Sequence, residues 1–116
     1  MRVVLITGAQ GVGKNRKAYE LVGLGKEFIE FDAVDFTNKS SWQGIENSPV
    51  VIIDNIHSSK QIGQIQNLIQ RGSTRYRITY AKEVEDYKIE KLILISCADL
   101  SLNFPEAKHI ELTHQV

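Results

Sequence analysis

The sequence predicts an α/β fold: a three-layer sandwich around a five-stranded, mainly parallel sheet, with a hairpin ahead of the fourth core strand. Three observations predict it. Five apolar runs recur along the 116 residues, at Val3–Thr7, Glu27–Phe31, Val50–Asp54, Leu92–Ser96 and His109–Leu112. Each has the length and β-branched character of a buried strand. Most are separated by enough chain for the crossover that parallel strands require. One connection, Ser58–Gln70, has clear helical periodicity, with Ile62, Ile65, Leu68 and Ile69 on one face and Gln and Lys on the other. The chain is long enough for one such domain, spanning residues 1–116, and too short for an additional lid domain.

Taken in order, the first strand leads into Gly8-Ala-Gln-Gly11-Val-Gly13-Lys14-Asn15. This is the phosphate-binding (P-loop, Walker A) pattern Gly-x4-Gly-Lys-[Ser/Thr], complete except at Asn15, where a hydroxyl would hold Mg²⁺. Arg16, Lys17, Ala18, Glu20 and Leu21 follow, with neither Pro nor Gly until Gly23, so a helix is expected. Strand, glycine loop and helix is the order that phosphate binding needs. Successive backbone N–H groups curl around the phosphates, the helix start adds partial positive charge, and Lys14 reaches the terminal phosphates. Gly8, Gly11, Gly13, Lys14 and Asn15 are therefore the candidate ATP-binding residues. The bland alternative is a glycine-rich turn without a ligand.

The third run, Val50-Val-Ile-Ile-Asp54, ends in an acid. Beside a phosphate loop, such an Asp holds Mg²⁺, usually through water. Asn15 and Asp54 are thus the candidate metal residues, and Lys14 and Asp54 the candidate catalytic pair. Many strands also end in Asp merely to start a turn. Asn55 stands where a second acid would orient the attacking water, and an amide cannot accept that proton. Glu46 or Glu85 could substitute, but the sequence does not choose between them. His57 reads as a surface turn residue and Trp42 as a core or groove-filling aromatic.

Gly72 closes the Ser58–Gln70 helix as a C-cap. Beyond it, Tyr76, Ile78 and Tyr80 alternate with Arg75, Arg77 and Thr79, the pattern of a half-exposed strand. Lys82-Glu-Val-Glu-Asp86 then supplies a turn, completing the hairpin. No acid occurs among residues 71–82, and Arg75, Arg77 and Lys82 with the interleaved tyrosines form a candidate nucleic-acid contact. The competing reading pairs these Arg side chains with Glu83, Glu85 and Asp86 across the turn. At the end of the fourth strand, Ser96 or Cys97 falls where a polar residue could sense the γ-phosphate. Small-residue packing explains them equally for Ser96 and better for Cys97.

Composition is ordinary for a soluble domain, at 42% hydrophobic and 24% charged residues, and the zero net charge exerts no global pull on nucleic acid or membrane. The single cysteine excludes an internal disulfide and fits a reducing compartment. Strand residues follow Met1 at once, and no apolar run approaches membrane-spanning length, so a cytoplasmic location is expected.

Taken together, these motifs resemble a stripped-down AAA+ P-loop NTPase core, specifically the superfamily-three helicase domain of rolling-circle Rep proteins of small DNA viruses and plasmids. The resemblance covers nearly the whole chain. Gly8–Asn15 is similar to their phosphate loop, Trp42-Gln-Gly44 and Val50–Asp54 to the stretch leading to their acidic Walker B motif, Arg75–Ile89 to their DNA-touching basic hairpin, and Leu92–Ser96 to their sensor strand. It implies ATP and Mg²⁺ as ligands, with single-stranded DNA and a replication protein as partners. Such helicases carry Ser or Thr at Asn15, a second acid at Asn55, a sensor Asn near Cys97 or Ala98, and a trans-acting Arg after the sensor strand. Residues 98–116 contain no Arg. The expectation is an ATP-binding, helicase-like protein with weak or no hydrolysis, linked to phage or mobile-element DNA replication. Three alternatives stay open: an active ATPase (hydrolase) or helicase subunit completed by a partner, a small nucleotide kinase, and an interaction module that has lost its nucleotide. Oligomeric state is not legible.

Overall fold

A computed structural model of the chain describes residues 1–78 and 81–113. The five strands β1 (Arg2–Thr7), β2 (Phe28–Asp32), β3 (Val50–Asp54), β6 (Lys91–Ser96) and β7 (Lys108–Glu111) form one sheet in the order β2-β3-β6-β1-β7. All its pairings are parallel, in the registers Val4↔Ile93, Ile52↔Ile93 and Phe31↔Ile53 among others. The three inner strands are almost wholly buried, which is why they read as unbroken apolar runs rather than alternating ones.

Alternate residues of each strand serve opposite faces. Val3, Leu5, Val51, Ile53, Leu92 and Leu94 point to one side, where Ile65 and Leu68 of helix α2 (Ser59–Arg71) pack with Trp42, Leu100 and Phe104. Val4, Ile6, Ile52, Ile93 and Ile95 point to the other, covered by Ala18 and Val22 of helix α1 (Lys14–Val22). Helix α2 starts on a reciprocal cap: Gln61 N donates to Ser58 Oγ (3.2 Å), and Ser58 N donates to Gln61 Oε1 (3.1 Å). It ends at Gly72, whose left-handed φ of 73° suits glycine.

Two crossovers depart from the expected strand–helix alternation, because neither contains an α-helix among the described residues. Between β2 and β3 the chain makes 3₁₀ turns at Ala33–Asp35 and Lys39–Trp42. Asp32 Oδ1 accepts from Val34 N (2.9 Å) and Asn38 Oδ1 from Ser40 N (3.1 Å), so these side chains hold local turns instead of a longer helix. Trp42 fills the space beneath: its ring lies 4.8 Å from Phe31, and Nε1 donates to Phe36 O (2.9 Å). Between β6 and β7, Asp99 Oδ1 accepts from Ser101 N (2.9 Å), and its hydrogen bonds with Ser101 hold its carboxyl below the usual range. Buried Leu100 and Phe104 anchor that loop.

The hairpin exists as a separate two-stranded antiparallel sheet of β4 (Ser73–Tyr76) and β5 (Glu85–Lys88). Its first strand stops at Tyr76, short of the expected run. Thr79 and Tyr80, the end of that alternation, lie outside the described residues. Glu85 and Asp86 belong to β5 rather than to the turn. Register places Arg75 opposite Asp86, and this cross-strand charge pair favours strand at a position read from sequence as loop.

Candidate functional site

The candidate site residues gather at the carboxyl ends of the strands. Leaving β1, the chain turns at Gly8 with φ of +152°, where an added Cβ would stand 2.6 Å from Leu112 O and 2.9 Å from Val12 Cγ2. No other residue fits between β1 and the end of the β7 strand. Gly13 then caps α1 in the left-handed conformation, and a Cβ there or at Gly11 would meet no protein atom within 4 Å. Those two glycines leave open space over the loop.

The first helical bond, Lys17 N to Gly13 O (3.0 Å), leaves the amides of the first turn without an intrahelical acceptor. No side chain caps them and no acid lies in that turn. Instead Lys14, Arg16 and Lys17 crowd a helix end that already carries partial positive charge. A bound polyanion reverses that unfavourable arrangement. Lys14 is buried to 8% exposure, yet Nζ donates to Gly8 O (2.8 Å) and Ala9 O (2.9 Å) and lies 3.6 Å from Cys97 Sγ. The ammonium is thus folded back on the loop's own carbonyls.

Asp54 comes to the same place from β3. Its Oδ2 accepts from Asn15 Nδ2 (3.0 Å) and its Oδ1 from Asn55 N (2.7 Å). Asn15 therefore turns its amide nitrogen, not its oxygen, toward Asp54. With Glu30 Oε2 also 3.4 Å from that nitrogen, two carboxylates dictate the orientation. Glu30 further accepts from the Tyr19 hydroxyl (2.7 and 2.9 Å), and that hydrogen bond, with burial and the carboxylate's charge, raises the phenol above its ordinary pKa. Asn55 adopts φ of +59° and donates from Nδ2 to Asp32 Oδ2 (3.2 Å).

Lys14, Asn15, Asp54 and Asn55 line one cavity of about 610 Å³, together with Asp32 and Cys97. A second hollow of about 450 Å³ opens on the other flank of the loop, between Val12, Arg16, Lys17 and Leu112. The structure thus brings together Gly11, Gly13, Lys14, Asn15 and Asp54 as the sequence proposed. Mg²⁺ takes hard oxygen ligands and keeps several waters, and the Asp54 carboxylate beside a phosphate loop matches that demand.

At the end of β6, packing was expected for Cys97 and left open for Ser96, and both residues border the cavity. Ser96 is buried, donates to Ile56 O (2.8 Å) and accepts from Ala98 N (3.1 Å), so its hydroxyl is spent on the fold. Cys97, read as a packing residue, is exposed and faces Lys14. Neither Glu46 nor Glu85 lines the cavity; their charges act instead on Tyr87 of β5. His57 is exposed, in the link between β3 and α2. Residue-by-residue reading missed Asp32, Glu30 and Tyr19. A signal for Asp32 was present: Phe28-Ile-Glu-Phe-Asp32 is a strand ending in an acid, as β3 is.

The hairpin carries a separate basic cavity of about 870 Å³, bordered by Lys39, Gln43, Arg75, Tyr76 and Arg77. Arg75 Nε lies 3.7 Å from Asp86 Oδ1, with both side chains mostly exposed. Lys82 is exposed and is not part of that lining.

No protein-family model matches the chain, and no curated protein matches it. Solved structures do. NtrX from Brucella abortus in complex with ATP aligns over 97% of this chain and 32% of its own, with a TM-score of 0.61 and 12% identity. The same protein in complex with ADP gives 0.62 and 13% over the same shares. The apo C-terminal region of NrS-1 gives 0.61 and 10%, over 97% of this chain and 28% of that one. The chain spans about a third of the length of these structures. The fold they share with it is that of an AAA+-like P-loop NTPase core. Among the described residues, no helix is long and apolar enough to cross a membrane.

Proposed function

We propose that this chain is an ATP-binding P-loop protein of AAA+/helicase-core type with weak or no hydrolysis. One observation carries the reading: an uncapped, acid-free, cationic helix start, with a buried Lys14 folded onto the loop that precedes it. Backbone amides at Gly11, Gly13 and Lys14 would take the β- and γ-phosphates, and Lys14 would exchange its two carbonyl partners for phosphate oxygens. NtrX, which shares the fold, is seen with ATP and with ADP, and this supports a nucleotide as the ligand.

Asp54 would hold Mg²⁺ through water. Asn15 would join it only by turning its amide oxygen inward, and an amide is a weaker ligand than the hydroxyl usual at this position. Bound Mg²⁺ would supply charge neutralisation at the β- and γ-phosphates. Asn55 offers no proton acceptor, which favours slow turnover. The link to phage or mobile-element replication rests on the helicase resemblance. The basic cavity at Arg75 and Arg77 supports single-stranded DNA as a second ligand, with Lys82 beside it on the hairpin connection. A cytoplasmic setting accords with these ligands.

Titration of the purified chain with a fluorescent ATP analogue, with and without Mg²⁺, tests the reading. Saturable binding that Lys14→Ala weakens about 100-fold is expected, since the lysine makes charge-assisted contacts to two phosphates. Absence of binding at millimolar nucleotide would leave only the interaction-module alternative.

A further inference from the structure

We infer that Asp32, at the end of β2, is the carboxylate that orients and deprotonates the attacking water, in the role that Asn55 cannot fill. The inference rests on the ATP-binding reading above. Asp32 and Asp54 are the two carboxylates that line the phosphate-loop cavity among the described residues. They are direct partners across β2 and β3, so both project at the same level of the sheet's carboxyl edge. Asp54 is committed on both oxygens, to Asn15 Nδ2 and Asn55 N. Asp32 is held by the same kinds of partner, but its side-chain amide belongs to exposed Asn55 rather than half-buried Asn15. Its Oδ1 is pinned by Val34 N (2.9 Å), and its Oδ2 accepts from the exposed Asn55 side chain (3.2 Å).

That second hydrogen bond is what makes the residue usable. An amide on an exposed side chain can swing aside, leaving Oδ2 with a free lone pair facing the cavity while Oδ1 stays fixed. The remaining charged or titratable groups around the cavity are Lys14 and Arg16 from α1, Asp54 from β3, and Cys97 beyond β6. None of them offers a spare carboxylate once Asp54 serves the metal. In the step itself, the water oxygen attacks the γ-phosphorus and its proton passes to Asp32 Oδ2. The bond from the γ-phosphorus to the β–γ bridging oxygen breaks, and the electron pair leaves with ADP. Asp32 then returns the proton to solvent. Asn55 becomes a positioning residue that holds the carboxylate between turnovers.

The test compares wild type, Asp32→Asn and Asp32→Glu under single-turnover conditions with Mg·ATP, with analogue binding measured alongside. Asn keeps an acceptor for Val34 N, so it removes the base while preserving the turn. The expected result is a rate lowered about 100-fold in Asp32→Asn, with affinity unchanged within a factor of about two. Asp32→Glu, which keeps a carboxylate, should retain most of the rate even if Asp32→Asn folds poorly. Equal rates in wild type and Asp32→Asn would overturn the inference, as would turnover no higher than in Lys14→Ala. In both of those outcomes nucleotide binding persists, whereas loss of binding in the wild type itself would overturn the ATP-binding reading on which the inference stands.

Discussion

The phosphate loop and the β4–β5 hairpin are both charged and both border a cavity, yet they are built on opposite terms. At the loop, backbone does the work. Gly8 has no room for a side chain, Gly13 turns the chain into α1, and the helix start presents amides whatever the neighbouring side chains are. The buried strand β1 holds this geometry from behind. At the hairpin the chemistry lies in long exposed side chains, and one of its cations, Arg75, already faces Asp86 at 3.7 Å. An exposed pair of this kind stabilises by less than about 1 kcal/mol and yields easily to a competing phosphate. Function written in backbone is fixed by the fold, while function written in surface charge depends on which partner arrives.

The sharpest way to break this contrast is at Gly8. Gly8→Ala should destabilise the chain by about 3 kcal/mol, combining the glycine-only backbone angle with the overlap against Leu112 O. Urea denaturation monitored at Trp42 measures it, and a loss below about 1 kcal/mol would show that the loop is more compliant than its geometry implies. A second, smaller effect is expected at Asn15. Asn15→Thr replaces an amide nitrogen facing Asp54 with a hydroxyl able to ligate Mg²⁺, and should tighten Mg·ATP binding about tenfold. The gain should disappear in EDTA; an equal gain without metal would assign it to relief of the Asn15–Asp54 hydrogen bond. The smallest effect lies at the hairpin. Arg75→Ala and Arg77→Ala should each weaken single-stranded DNA binding modestly. Each should also flatten the salt dependence, by about 0.7 in slope for every phosphate that is no longer neutralised. Salt-insensitive binding, or none, would return these residues to the cross-strand pairing reading.

The same contrast explains what could be read from sequence. The sheet and loop were legible because apolar runs, glycine spacing and the capped α2 helix are local signals that the tertiary structure repeats. The helix-free crossovers were less so, since Asp32 and Asn38 decide locally for turns while Trp42, Leu100 and Phe104 supply the burial that a helix would have given. The network around Asn15 was legible only in part. Asn15 and Asp54 were named by motif, but Glu30 and Tyr19 reach them across β2 and α1, a meeting that no spacing announces. Cys97 was misread as a packing residue, and Ser96 left open, because adjacent strand-end residues point to opposite sides and the sequence does not say which one faces Lys14.

One consequence of the strand order concerns assembly in time. β1 precedes the other described strands in the chain, but its neighbours in the sheet are β6 and β7, with Arg2 beside Lys91 and Thr7 beside Glu111. During synthesis the glycine loop therefore emerges long before anything can hold it in shape. Its two flanking strands arrive near the end of the described chain, and such distant parallel pairings are slow to form. The pocket and the finished sheet come into being together, so nucleotide binding, if measured, would report that this sheet is complete.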